Sequence, residues 1–420
     1  MIAIVLTVLV TIVGLLVAAN FRNPEKKIQH EMKHLFAIGD AQFRREMSTL
    51  LGPAIVDGNH FEALQNGDEI FPSMIGAIRA AKTSITFETY IYWTGTIGEE
   101  FAEALIERAK NGTRIHVMLD WVGSNKADST QLQRMRDSGV EVLRYRPLRW
   151  YSLGRMNNRT HRKVLIVDGR IGFIGGVGIA DQWSGAAQDP DHWRDSHFRI
   201  EGPVIAQMQA TFLDNWIKTT GRVLHGEDYF PPLTAKGTKS MHLFSSSPAG
   251  GSSSMRLMYL TAITAAVASI DIEAAYFVPD ELMTKELVRA CQRGVRVRII
   301  VPGKHIDSKM VGVESKKSWG ALLHAGAAIF QFEPTMLHCK VLIFDRAVVS
   351  VGSTNFDIRS FELNDEASLN VYDSDTAEAM TSVFEADLLK SRPYSLADWN
   401  ARSLLTRFVE TVLLLVRSQL

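Results

Sequence analysis

The pattern His-x-Lys-x4-Asp occurs twice in this chain, and that repetition constrains the fold more than any other feature. His161-Arg162-Lys163 is followed five residues later by Asp168, and His338-Cys339-Lys340 is followed five residues later by Asp345. Six more residues separate each aspartate from a small-residue turn. The turn is Gly175-Gly176-Val177-Gly178 in the first copy and Gly352-Ser353-Thr354-Asn355 in the second. With ordinary composition, one such match arises by chance in only a few per cent of chains this long, roughly. Two matches with the same continuation require a duplicated structural unit.

Val164-Leu-Ile-Val167 and Val341-Leu-Ile-Phe344 are short apolar runs, so each motif reads as part of a buried strand. Side chains alternate along a strand, which puts His161 with Lys163 on one face and His338 with Lys340 on one face. Arg162 and Cys339 then point the other way. Asp168 and Asp345 complete the motifs and belong to the candidate catalytic set. Their position at the strand ends nevertheless argues for a structural role in a turn. Asn355 lies beyond the next short strand, where it returns to the end that carries His338.

These residue types suit phosphodiester chemistry. A phosphodiester resists attack because its anionic oxygens repel a nucleophile. Two ammonium groups and an amide would stabilise the charge of the transition state. A neutral imidazole can attack phosphorus, and a second, protonated one can donate to the leaving alkoxide. Each imidazole then needs a carboxylate to fix its tautomer. Asp195, 34 residues after His161, and Glu366, 28 residues after His338, begin alternating apolar stretches and are the symmetric candidates.

The repeat extends beyond the motifs. Ser84-Ile-Thr-Phe-Glu88 corresponds to Ser269-Ile-Asp-Ile-Glu273, each after an Ala-rich helical segment (Met74–Ala81 and Leu257–Val267). Helical segments Glu99–Lys110 and Glu281–Arg293 follow, closing on Gly112 and Gly294, and then strands Arg114–Leu119 and Val295–Val301. Strands alternating with helices predict an α/β fold with a largely parallel sheet and helices outside. Two pseudo-two-fold-related halves are expected, 21–235 and 236–400, with the site on the axis. The halves differ at one loop. Four residues run from Pro334 to His338, but fourteen from Pro147 to His161. No acidic residue lies between Val142 and Val167, so this longer loop is basic and aromatic. It predicts a rim for anionic groups, with Arg159, Trp150 and Tyr151 as its contact residues.

Of the 420 residues, 46 are acidic and 46 basic. Zero net charge argues against a general nucleic-acid binder. Residues 2–19 carry no charge and are almost entirely apolar, which predicts a transmembrane anchor over 1–20. Arg22, Lys26 and Lys27 follow it and favour a cytoplasmic catalytic part. The tail 401–420 predicts an amphipathic helix. The two cysteines, Cys291 and Cys339, have no metal-like spacing, and neither a metal nor a cofactor is expected.

Over about Ile38 to Asp375 the chain resembles the phospholipase D superfamily, and within it the bacterial cardiolipin synthases. The residues that carry the resemblance are Asn158-Arg-Thr-His161-Arg-Lys163, Trp193-Arg-Asp195, Tyr276-Phe-Val-Pro-Asp280, Met336-Leu-His338-Cys-Lys340 and Gly352-Ser-Thr-Asn355-Phe-Asp-Ile-Arg-Ser360. Phe361-Glu-Leu-Asn364-Asp-Glu366 continues the last of these. The resemblance implies two phospholipase D-like α/β/α sandwich halves and metal-independent, ping-pong phosphatidyl transfer. It implies His161 as nucleophile and His338 as acid and base, roles the near-symmetry could also exchange. Lys163, Lys340, Asn355 and Ser353 would bind the phosphoryl group. Implied substrates are phosphatidylglycerol, with phosphatidylethanolamine as a further candidate, at the bacterial inner membrane. The alternatives are a hydrolase using water at the same site and, less in keeping with the charge, a nuclease. The family has Asn where Gly178 stands, so the first half lacks one amide donor.

Overall fold

The computed structural model describes residues 2–20, 28, 30–147, 157–247, 254–403, 406, 407 and 410. Its strands are β1 Val56–Gln65, β2 Ser84–Thr89, β3 Arg114–Asp120, β4 Glu141–Tyr145, β5 Val164–Val167, β6 Ile171–Gly175, β7 Ser196–Glu201, β8 Lys239–Ser246, β9 Ser269–Ala274, β10 Phe277–Val278, β11 Arg296–Pro302, β12 Ala328–Phe332, β13 Lys340–Phe344, β14 Val348–Gly352, β15 Phe356–Asp357, β16 Glu366–Tyr372 and β17 Ser391–Tyr394. Its helices are α1 Ile2–Asn20, α2 Ala41–Leu50, α3 Asn66–Ala80, α4 Thr96–Lys110, α5 Ser129–Asp137, α6 Ile205–Thr220, α7 Ser254–Ala265, α8 Glu281–Gln292, α9 Lys309–His324, α10 Ile358–Glu362, α11 Ser374–Leu388 and α12 Leu396–Asn400.

One sheet of fifteen strands runs through the molecule, in the order β17-β12-β11-β9-β13-β14-β16-β8-β1-β7-β6-β5-β2-β3-β4. Apart from β17, the order is mirrored about the β8–β1 seam, as a pseudo-two-fold axis between two copies requires. The seam is antiparallel, pairing Val56 with Met241 and Asn59 with Lys239. A shared apolar cluster seals it: Phe198, Ile200 and Met208 from one side pack with Met241, Val341 and Val351 from the other. Two further clusters lie on either side, one within the first half and one in the second half that Ile38, Phe43, Met47 and Leu51 join.

The expected largely parallel sheet is corrected. Within this sheet, parallel pairing is confined to β2-β3-β4 and β9-β11-β12, where helices make the crossovers, and β10 and β15 form a separate parallel pair. The motif strands β5 and β13 run antiparallel to β2 and β9. The cause is local. The links from β5 to β6 and from β13 to β14 are too short for a crossover, so each pair is a hairpin. Asp168 and Asp345 stand at these turns with φ of 54° and 51°. Asp168 accepts from the backbone N–H groups of Lys82, Thr83 and Ser84, and Asp345 from those of Val267, Ala268 and Ser269. Each carboxylate ties the start of a parallel strand to the end of its motif strand.

The helix predictions fall close to the observed α4 and α8. Both end at a glycine with positive φ, Gly112 at 88° and Gly294 at 90°. The expected transmembrane anchor over 1–20 is not supported: among the described residues, no helix is long and apolar enough to cross a membrane. The side chains described in α1, those of residues 3–15, are all exposed. Trp150 and Tyr151 lie outside the described residues, as does most of the predicted 401–420 helix.

Candidate active site

The antiparallel course of β5 and β13 decides where the site lies. Val164 opposes Glu88, near the C-terminal end of β2, and Lys340 opposes Ala274, at the C-terminal end of β9. The residues ahead of each motif strand therefore meet the loops that leave the parallel strands, the end at which open α/β sheets bind ligands. His161 and Lys163 precede the regular part of β5 instead of lying within it, yet they face one cavity while the Arg162 guanidinium reaches the opposite way, to Asp214 and the Thr211 carbonyl. Cys339 is likewise turned away, its thiol against the Arg194 carbonyl.

That cavity, about 310 Å³, is lined by His161, Lys163 and His338 together with Asn355. Tyr90, Trp93, Arg159, Trp193, Tyr276, Asp307, Asp357, Arg359 and Asn364 complete much of its wall. Two short main-chain straps cross between the halves. His161 N–H donates to the Asp365 carbonyl at 2.8 Å, and His338 N–H donates to the Arg194 carbonyl at 2.7 Å. Each histidine is thereby laid beside the residue that precedes the other half's carboxylate. His161 Nδ1 donates to Glu366 (3.0 and 3.2 Å), and His338 Nδ1 donates to Asp195 Oδ2 (2.8 Å). Each imidazole is oriented by the half to which it does not belong. With Nδ1–H held by a carboxylate, each Nε2 is left for the cavity, to carry a lone pair or a proton.

The supports of the two carboxylates differ. Glu366 also accepts from Ser353 Oγ at 2.5 Å, so Ser353, expected as a phosphate ligand, instead sits behind the histidine. Asp195 accepts from Trp183 Nε1 at 2.9 Å and from Ser196 N–H at 2.8 Å. Lys163 Nζ donates to the His161 carbonyl at 2.9 Å, and Lys340 Nζ donates to the His338 carbonyl at 2.7 Å, lying 3.3 Å from His338 Nε2. Asn355 lines the cavity with a buried Oδ1 that has no hydrogen-bond partner among the described residues. Asp168 and Asp345, counted with the catalytic motif, do not line the cavity; five strand residues place them about 16 Å from the lysines. Arg159 is buried in the wall, not exposed on a rim, with Nη1 3.7 Å from Asp120.

Burial governs the electrostatics. It lowers His161 to about 4 against the raising effect of Glu366, so the imidazole is neutral at physiological pH. Burial and the Lys340 ammonium lower His338 as well. Burial, with Lys340 nearby, brings Lys163 down to about 7 from its ordinary 10.5. Burial alone would raise Glu366 and Asp195, but the imidazoles and lysines outweigh it and hold both below the usual carboxylate range.

Lys163 supports a prediction. A bound phosphate anion favours the ammonium form. At about pH 8 the empty site holds mostly free amine, so binding inorganic phosphate is expected to take up close to one proton. Titration calorimetry in buffers of different ionisation heat measures this, and a Lys163→Met variant should lose most of it. The same lowered value means that, between about 7 and 10.5, the unfolded chain binds more protons at this position than the folded one. Stability from this group therefore rises with pH across that window. Phosphate binding without proton uptake would show the lysine already charged.

Among the described residues, no group of three or more His, Cys, Asp or Glu is placed to hold a metal ion. The sequence reading missed Tyr90, Trp93, Tyr276, Asp307, Asp357, Arg359 and Asn364 as wall residues. The signal for Tyr90, Tyr276 and Asp307 was their place just past β2, β9 and β11.

A mirrored α/β sheet with two crossed histidine–carboxylate pairs over one cavity defines a two-half, phospholipase D-like protein. The family profile described as "Cardiolipin synthase, PLD-like domain" matches residues 74–216 and 259–388. Cardiolipin synthase of Geobacillus sp. (strain WCH70) is 35% identical over 352 residues, covering 83% of this chain and 70% of that protein. Cardiolipin synthase 1 of Bacillus cereus is 33% identical over 375 residues, 87% of this chain and 73% of that one. The chain belongs to this cardiolipin synthase, PLD-like family, and it is an enzyme. Among solved structures, the phosphatidylserine synthase of Haemophilus influenzae shares the fold, with a TM-score of 0.67 at 14% identity over 91% of this chain and 100% of that one.

Proposed function

We propose that this enzyme makes cardiolipin by phosphatidyl transfer through a covalent histidine intermediate. Nε2 of His161 attacks the phosphorus of phosphatidylglycerol. A P–N bond forms, the P–O bond to glycerol breaks, and the leaving oxygen takes the Nε2 proton of His338, which enters this step as an imidazolium paired with Asp195. A glycerol-bearing acceptor lipid, a second phosphatidylglycerol, then gives its hydroxyl proton to His338 Nε2. Its oxygen bonds to phosphorus, and the P–N electron pair returns to His161. Lys163, Lys340 and Asn355 bind the phosphoryl oxygens. The observation that carries this reading is the pair of crossed histidine–carboxylate contacts over one cavity, with His161 held neutral and therefore nucleophilic. We place the two catalytic halves at 21–235 and 236–400.

The test is lipid mass spectrometry after incubating the purified chain with phosphatidylglycerol, with and without phosphatidylethanolamine, beside His161→Ala. Cardiolipin that disappears in the variant supports the proposal, and a requirement for the second lipid would rename the acceptor. Phosphatidic acid as sole product would make water the acceptor, and no product would remove the reading.

The setting is a bacterial inner membrane, with the catalytic part on the cytoplasmic face. Exposed apolar residues of α1 support attachment there: Ile4 is 69%, Val10 66% and Leu15 65% exposed. The chain is expected to co-sediment with phosphatidylglycerol vesicles and to lose most of that binding without residues 1–20. Unchanged binding after the deletion would place the attachment elsewhere.

A further inference from the structure

At two glycines of the duplicated turn the first half lacks a polar side chain that the second half carries. Gly176 stands where the second half has Ser353, and Gly178 where it has Asn355. Neither counterpart residue would fit. A Cβ on Gly176 would lie 2.4 Å from Asp195 Oδ1. A Cβ on Gly178 would lie 2.8 Å from Ile91 Cβ and 3.1 Å from Trp183 Cη2. An indole takes the place of the missing hydroxyl. Trp183 is fully buried, and its Nε1–H is bonded to the same Asp195 oxygen that accepts from His338. This does for Asp195 what the Ser353 hydroxyl does for Glu366. The Trp183 ring stands edge-on to His338 at 5.2 Å, Trp193 lies 5.6 Å from it, and the two indoles are 4.5 Å apart. Among the described residues, the aromatic ring beside His161 is the phenol of Tyr90 at 5.3 Å. The two imidazoles thus have unlike aromatic neighbours: one has a phenol, the other two indoles, of which Trp193 lines the cavity.

We propose that Trp183 and Trp193 select the acceptor: Trp193 dries the His338 side of the cavity against water, and Trp183 positions Asp195 and through it His338. This rests on the reading that His338 activates the incoming hydroxyl. In the resolving step, water and a lipid alcohol compete for one reaction. Either gives its proton to His338 Nε2 as its oxygen bonds to phosphorus and the P–N bond to His161 breaks. Water yields phosphatidic acid, and the lipid alcohol yields the diphosphatidyl product. An apolar face beside the base disfavours a small, fully hydrated nucleophile and accommodates the carbon skeleton of a glycerol-bearing one.

The experiment uses the full chain with phosphatidylglycerol in mixed micelles and reads three quantities: adduct formed, the ratio of cardiolipin to phosphatidic acid, and the pH dependence of adduct breakdown. Trp193→Ala is expected to shift the ratio toward phosphatidic acid by roughly tenfold, while Trp193→Phe, which keeps an apolar ring, retains the wild-type ratio. Trp183→Phe removes the indole N–H, leaving the Asp195 carboxylate more basic. The limb of the breakdown profile that reports His338 should then move to higher pH. An unchanged ratio in Trp193→Ala would overturn the wall, as would a wild-type enzyme that makes only phosphatidic acid. An unmoved limb in folded Trp183→Phe would overturn the positioning role. Should Trp183→Phe fail to fold, the Trp193 pair decides the proposal alone. Absence of any adduct in the wild type would instead remove the parent reading of a phosphatidyl-histidine.

Discussion

Replacing His161 with alanine is expected to eliminate the covalent phosphatidyl-enzyme and to cut product formation by on the order of 10⁴-fold or more. The size follows from what is lost. In the proposed mechanism the imidazole is the group that splits one difficult displacement into two, and its removal leaves the phosphorus without that nucleophile. His338→Ala is expected to differ in kind. It slows both steps by removing the acid and the base, but a labelled P–N adduct, once formed, should persist because nothing deprotonates the acceptor. Acid-labile, base-stable labelling from radioactive phosphatidylglycerol distinguishes the two. An adduct that survives in His161→Ala and vanishes in His338→Ala would exchange the two roles.

The second large effect concerns the crossed pairs. Glu366→Gln keeps the volume of the buried side chain and its contact with Ser353 but turns an acceptor-only carboxylate into an amide. His161 then loses the partner that holds its Nδ1–H, and the other tautomer, with its proton on Nε2, cannot attack. A loss of roughly 10²- to 10⁴-fold is expected, in the range known for a carboxylate that orients a catalytic histidine. The loss should fall on adduct formation, although Glu366 lies in the half that carries His338. Asp195→Asn should bear on the steps that use His338 in the same crossed manner. Rapid-quench measurement of adduct formation and decay separates the two steps. If Glu366→Gln reproduced the His338→Ala phenotype, each carboxylate would be serving the histidine of its own half, and the proposed mechanism would need to be redrawn.

The duplicated motifs and the alternation of strands and helices were legible from composition and spacing. So were helix ends at Gly112 and Gly294, because a left-handed residue after a helix is a local requirement. Asp195 and Glu366 could be singled out as carboxylates because each opens an alternating stretch. Which histidine each would meet could not be read. Within one half, the spacing from His161 to Asp195 suggests a partnership, but the main-chain straps at Asp365 and Arg194 reverse it. The sheet direction was misread for a related reason. Apolar periodicity reports that a strand is buried and is blind to the direction of its neighbour. The short turns at Asp168 and Asp345 set the antiparallel course.

Ser353 and Arg159 show the same division. Their residue types suit phosphate binding, but one is placed behind Glu366 and the other inside the wall. Gly178 was visible as a missing amide, whereas Trp183, five residues on and filling that space, was visible only in three dimensions. By itself the sequence determined the residue types, their duplication and the local elements, since these depend on side-chain chemistry and on periods of two and 3.6 residues. The tertiary structure decided the pairing of the halves, the exchange of their carboxylates and the unlike surroundings of the two histidines. Those depend on contacts between residues more than a hundred positions apart, which no local pattern encodes.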